Sequence, residues 1–142
     1  MTTVLLDCGP IVALLDRSDP QHEFVVRGLR NVAATLITTG PVITEAMFLL
    51  QEAVDGPKQL VRFLDEAGVE IAEIFDLVSL TAASELMQKY ADIPMDFADA
   101  SLVVSAGRFG VSRILTLDER GFRTFRYGRN KAFQLLLQDA LG

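Results

Sequence analysis

Four short apolar runs constrain the fold of this chain more than any other feature: VLL at 4–6, ATLITT at 34–39, VEIAEIFDLV at 69–78 and RILTL at 113–117. The first two are continuously apolar or β-branched and too short for a helix, and the third alternates as a strand should. Between the runs lie segments with helical punctuation. Asp19-Pro20 reads as an N-cap and first-turn proline for a helix through Val25, Val26 and Leu29. Pro41 opens VITEAMFLLQEAV, which Asp55-Gly56 closes, and Pro57 opens KQLVRFLDEA, which ends near Gly68. TAASELMQKYA (81–91) is a helix with Thr81 as its cap, and IPMDFADASLVVSAGRFG (93–110) is the last long helix, with Pro94 in its first turn and Gly110 at its exit. Buried strands alternating with amphipathic helices predict a parallel sheet covered on both faces, a three-layer α/β/α sandwich. Beyond Asp118, ERGFRTFRYGRN reads as a hairpin or an irregular turn, and AFQLLLQDALG as either an edge strand or a terminal helix.

A chain of 142 residues, half of them hydrophobic, suits one domain, here 1–142, with a proper core. No apolar run approaches the roughly 18 residues that span a bilayer. The start MTTVLLDCGP lacks a basic leader, and the single cysteine, Cys8, allows no disulfide within the chain. These features predict a cytoplasmic protein with no membrane partner. The net charge of −6 argues against a general nucleic-acid coat. That average conceals a basic segment: Arg108 to Lys131 holds seven bases against two acids, a local +5 on a remainder of −11. A basic lobe on an acidic protein can hold a polyanion locally, although a solvated surface has the same composition.

In an open parallel sheet, ligands gather beyond the carboxyl ends of the strands. Asp7 ends the first strand, Asp118 follows RILTL, and Glu45 lies early in the helix after ATLITT. Asp96 and Asp99 share a face at the start of the helix preceding the Asp118 strand. Each acid has an ordinary reading, as a strand-end turn, a helix-dipole partner or a cap. Whether the helix bearing Asp96 and Asp99 leans over the other acids depends on its tilt, which spacing does not fix. If it does, four or five carboxylates converge into a cluster that recruits a hard divalent cation such as Mg²⁺, suited to water attack on a phosphodiester. Cys8 reads as a small buried thiol and His22, the only histidine, as a surface residue. No phosphate-cradling glycine motif is present.

At these residues the chain resembles the PIN-domain family and, within it, the VapC-like toxins of bacterial toxin–antitoxin pairs. The matching pieces are LLDCGPIVALLDRSDPQH, ITEAMFLL, PMDFADASLVVSAGRFG and ILTLDERGF, in that order over nearly the whole chain. The resemblance implies a sheet of about five parallel strands and an Mg²⁺- or Mn²⁺-dependent ribonuclease. It makes Asp7, Glu45, Asp99 and Asp118 the catalytic metal-holding acids, with Asp96 as a further ligand and Thr116 as a supporting hydroxyl. It also implies a homodimer and a cognate antitoxin that covers the acids. Where family members often carry Ser or Thr after the first aspartate, this chain has Cys8. Arg120, Arg123 and Arg126, directly after Asp118, are then candidates to hold RNA phosphates. A nuclease that is not a toxin, and a catalytically silent domain of the same fold that binds RNA or protein, remain open beside this reading.

Overall fold

The computed structural model describes residues 2–141, with side chains described through Asp139. The central sheet has five parallel strands in the order β3-β2-β1-β4-β7. These are β1 (Thr2–Leu6), β2 (Ala34–Thr39), β3 (Glu70–Ala72), β4 (Arg113–Leu115) and β7 (Gln134–Leu135). β1 lies at the centre, Leu5 opposite Ile37 of β2 on one side and Ile114 of β4 on the other. Val4, Leu5 and Leu6 are buried together, as a strand covered on both faces demands.

Helices flank this sheet: α1 (Cys8–Leu15), α2 (His22–Leu29), α3 (Gly40–Leu49), α4 (Gly56–Glu66), α5 (Leu77–Lys89), α6 (Phe97–Phe109), the short α7 (Glu119–Thr124) and α8 (Leu136–Leu141). α1 packs against α2, α3 and α4, and α6 packs against α3 and α5. α6 is buried along most of its length because Ala98, Ala100, Ala106, Ser101 and Ser105 let neighbouring backbones come close. The serine hydroxyls return their protons to helix carbonyls, Ser101 to Ala98 at 2.7 Å and Ser105 to Ser101 at 2.9 Å, so burial leaves neither unpaired. A chain of edge-on and tilted rings, Tyr90–Phe125–Phe122–Phe133–Tyr127 with centroids 5.1 to 5.3 Å apart, anchors the segment after β4.

Several sequence expectations shift at element ends. The strand expected over 69–78 stops at Ala72, because β3 is an edge strand paired only with β2 and Asp76 caps α5 through Ser79 N at 3.1 Å. Thr81 therefore lies inside α5, its hydroxyl donating to Leu77 O at 2.7 Å, and caps nothing. Asp19 makes a turn, accepting from Gln21 N at 2.8 Å, so α2 starts only at His22. α3 ends at Leu49 rather than at Asp55, and a single 3₁₀ turn, Leu50–Glu52, follows. Pro94 precedes the first turn of α6, after a cis Ile93–Pro94 peptide, and Gly110 exits the helix at φ 66° as expected. The final segment contains both alternatives: β7 is an edge strand and α8 a helix. Before them α7 leads into a two-stranded antiparallel hairpin, β5 (Arg126–Tyr127) with β6 (Lys131–Ala132).

Candidate functional site

The carboxyl ends of β1 and β4 and the amino ends of α1, α6 and α7 meet at one edge of the sheet. Chain direction explains this placement, since each parallel strand delivers the next helix with its N-terminus at the same edge. The acids here are also helix caps. Asp7 Oδ1 accepts from Cys8 N at 2.8 Å, and Asp118 Oδ1 accepts from Gly121 N at 3.0 Å. Asp96 and Asp99 form a reciprocal capping box, Asp99 N to Asp96 Oδ1 at 2.8 Å and Asp96 N to Asp99 Oδ2 at 3.2 Å. The capping reading and the site reading of these residues hold together. A cap occupies one or two of a carboxylate's four or so acceptor positions and leaves the rest for other partners.

Asp7, Glu45, Asp96, Asp99 and Asp118 line a single depression of ≈ 440 Å³, with Cys8, Gly9, Pro94 and Leu117. No basic side chain lines it. Glu45, exposed on α3, takes no hydrogen bond among the described residues. Asp7 is 7% exposed and more constrained, because the fully buried Thr116 donates to its Oδ2 at 2.6 Å. The same Thr116 hydroxyl accepts from Asp118 N at 3.0 Å, joining the two strand-end aspartates through one oxygen.

Burial and mutual repulsion set the electrostatics. Desolvation, moderated by the Thr116 and Cys8 hydrogen bonds and reinforced by the charges of Glu45 and Asp96, pushes Asp7 up to about 6. Asp99 is pushed up to about 8, first by desolvation and then by the charges of Asp96 and Asp7. Glu45 is raised by desolvation and by Asp96. Burial, followed by the charges of Glu45 and Asp7, pushes the Cys8 thiol well above its ordinary range, so it is a packed, unreactive group.

The donor set is all oxygen and all anionic, which fits a hard divalent ion. Among the described residues no three His, Cys, Asp or Glu side chains stand in a closed, ion-holding geometry. Mg²⁺ does not require one, because it keeps several waters and takes one or two carboxylates together with substrate phosphate.

The arginines after Asp118 differ in availability. Arg123 pairs with Glu119 at 3.2 Å and Asp139 at 2.8 Å, and the Arg126 guanidinium donates to the carbonyls of Arg123, Thr124 and Phe125. Arg120, exposed on α7, makes no ion pair or side-chain hydrogen bond among the described residues. His22 is half-buried rather than superficial, its Nδ1 2.6 Å from Ala13 O, because α2 docks on α1 there. Two residues at this site went unread in the sequence. A Cβ on Gly121 would collide with Asp118 Oδ2, so a glycine lets the cap close; the spacing Asp-x-x-Gly after a strand was its only sign. Gln138, which donates to Thr116 O at 2.9 Å, gave no local signal.

No family model matches the chain. Ribonuclease VapC26 of Mycobacterium tuberculosis is 29% identical to it over 125 residues, covering 87% of this chain and 92% of that protein. The crystal structure of M. tuberculosis VapC20, a toxin that cleaves the sarcin–ricin loop, matches with a TM-score of 0.75 at 16% identity. That match covers 86% of this chain and 95% of VapC20 and shows a common fold. With the four motifs in order, the parallel five-stranded sheet and the acids at its carboxyl edge, the chain has the fold of VapC20 and is similar in sequence to ribonuclease VapC26 over most of both chains.

Proposed function

We propose that this protein is an endoribonuclease that hydrolyses RNA phosphodiester bonds with a divalent ion, and that it is the toxin of a toxin–antitoxin pair. The observation that carries the reading is the depression itself: five carboxylates at one sheet edge, lined by no cation, with two of them raised to about 6 and about 8. Such a site is costly to hold empty and fits Mg²⁺ or Mn²⁺. The similarity to ribonuclease VapC26 over most of both chains supports the same substrate class.

In this reading Asp7, Asp99, Asp118 and Glu45 hold the ion, with Asp96 beside them. When bound, the ion supplies an acidified water and neutralises charge developing on the phosphate. The chain's own residues supply position. Thr116 holds the Asp7 carboxylate and the Asp118 main chain at fixed separation, through hydrogen bonds of 2.6 and 3.0 Å. The capping box holds Asp96 and Asp99 side by side. Arg120, two residues beyond Asp118 and without an ion pair among the described residues, is available to meet RNA phosphate, whereas Arg123 and Arg126 contribute charge from fixed positions. Exposed apolar side chains, among them Phe48, Val54, Leu77 and Val78, offer surface for an antitoxin and a second copy of the chain. Among the described residues no helix is long and apolar enough to cross a membrane, and we place the activity in the cytoplasm.

The test is cleavage of RNA by the purified protein with Mg²⁺ or Mn²⁺, with EDTA and Asp99→Asn as controls. Co-expression with the neighbouring open reading frame is expected to relieve growth arrest. Full activity of the Asp99→Asn protein would reject the assignment.

A further inference from the structure

The C-terminal helix reaches the acid depression without lining it. Two consecutive residues of α8 bond to Thr116 and Arg123, which lie before and after Asp118 in the chain. Gln138 donates from Nε2 to Thr116 O at 2.9 Å, and Asp139 accepts from Arg123 on α7 at 2.8 Å. Thr116 is fully buried, and its hydroxyl is the group shared by Asp7 and Asp118. The other amide atom of Gln138, Oε1, is buried with no hydrogen-bond partner among the described residues. An orphaned buried acceptor opposes folding, a penalty that a methionine of similar volume would avoid. Stability alone therefore does not account for an amide at this position.

We propose that Gln138 is a positioning residue for the acid site: by holding the Thr116 main chain it sets the Thr116 hydroxyl, and through it the Asp7 carboxylate and the Asp118 backbone. This rests on the metal-dependent reading above for its consequence, and on the hydrogen-bond chain Gln138–Thr116–Asp7/Asp118 for its geometry. α8 is thus a buttress of the site, fixed to the strand end by Gln138 and to α7 by Asp139.

The experiment compares wild type with Gln138→Met, which removes both amide atoms, and Gln138→Glu, which replaces the donor by an acceptor and adds a negative charge. Mn²⁺ affinity is measured by calorimetry, and Asp118 amide exchange and melting are measured in EDTA. Gln138→Met is expected to weaken Mn²⁺ binding about tenfold, in the range for groups that orient metal ligands. Exchange of the Asp118 amide, which donates to Thr116, should quicken about tenfold while β2 amides are unchanged, with the melting temperature moving less than about 4 °C. In a Thr116→Val background Gln138→Met should add no further loss, because the route through the hydroxyl is already cut. Additive losses in that cycle, unchanged Asp118 exchange, or uniformly faster exchange with lowered melting would each overturn the proposal. If Gln138→Met does not fold, Gln138→Glu, whose added charge bears on Mn²⁺ affinity, is compared by Asp118 exchange in EDTA alone, and unfolding of both marks Gln138 as structural and overturns the proposal too. If wild type binds no Mn²⁺, the metal reading fails on its own, and the positioning role is judged by Asp118 exchange alone.

Discussion

The two halves of the acid depression are built differently. On the sheet side, Asp7 is buried, both its oxygens are engaged, and Thr116 links it to Asp118. On the helix side, Glu45 is exposed on α3 without a hydrogen-bond partner among the described residues, and Asp96 and Asp99 bond mainly to each other's backbone. The sheet half derives its precision from strand register and one buried hydroxyl. The helix half derives its position from helix ends, where short side chains reach only local groups. In the proposed reading an ion would meet a preset side and an adaptable one, a division suited to Mg²⁺, which demands regular geometry but brings its own waters.

The largest expected effect comes from neutralising one acid on either side. Asp7→Asn or Asp99→Asn should lower Mn²⁺-dependent RNA cleavage by more than about 100-fold, beyond the usual cost of altering a ligand's support. Glu45→Gln should cost less, about tenfold in Mn²⁺ affinity by calorimetry. An equal loss for Glu45→Gln and Asp7→Asn would break the contrast between the halves.

Stability in EDTA sharpens the same contrast. Asp7→Asn keeps an oxygen for Cys8 N and removes a buried charge whose group is raised from 3.8 to about 6. It should stabilise the metal-free protein at pH 8 by about 1–3 kcal/mol in denaturant unfolding, since each raised unit corresponds to about 1.4 kcal/mol. Neutralising the exposed Glu45 should change stability far less.

The pH dependence follows with a definite sign. Asp7 and Asp99 are raised in the folded state, so the native protein binds more protons than the unfolded chain between pH 4 and 8. Metal-free stability should therefore fall as pH rises through that window. Asp16 and Asp76 are lowered by hydrogen bonds from Ser18 and Ser79, and their contribution is lost only in more acid solution. Saturating Mn²⁺ should flatten or reverse the slope, because binding requires the carboxylates deprotonated. A melting series in EDTA and in Mn²⁺ measures both curves.

The smallest effect concerns RNA contact. Arg120→Gln should weaken RNA binding a few-fold and reduce the salt slope by about one, leaving Mn²⁺ affinity unchanged. An equal effect from Arg123→Gln would show that its ion pairs with Glu119 and Asp139 open on binding RNA.

Much of this was legible along the chain because strand and helix periodicities are local. Continuous apolar runs at 4–6 and 34–39 announced buried parallel strands, and the acids following them fell at one sheet edge by chain direction alone. Element ends were less legible. In EIFDLV the alternation pointed to a strand, but Asp76 caps a helix and its bond to Ser79 N prevails. The arginines after Asp118 read as equivalent, yet Arg123 finds Asp139 sixteen residues away. Gln138 was invisible because its partner, Thr116, lies twenty-two residues back.

The sequence by itself determined the fold class, the order of strands and helices as far as Asp118, and which acids follow strand ends, because hydrophobic period and chain direction depend on neighbouring residues. That Asp96 and Asp99 join those acids was decided by how α6 packs. Only the tertiary structure decided how those acids are supported: that one buried threonine hydroxyl serves two of them, that a glycine admits Asp118's cap, and that α8 braces them from behind. Hydrogen bonds between segments distant along the chain depend on where burial brings those segments, and no local pattern encodes that.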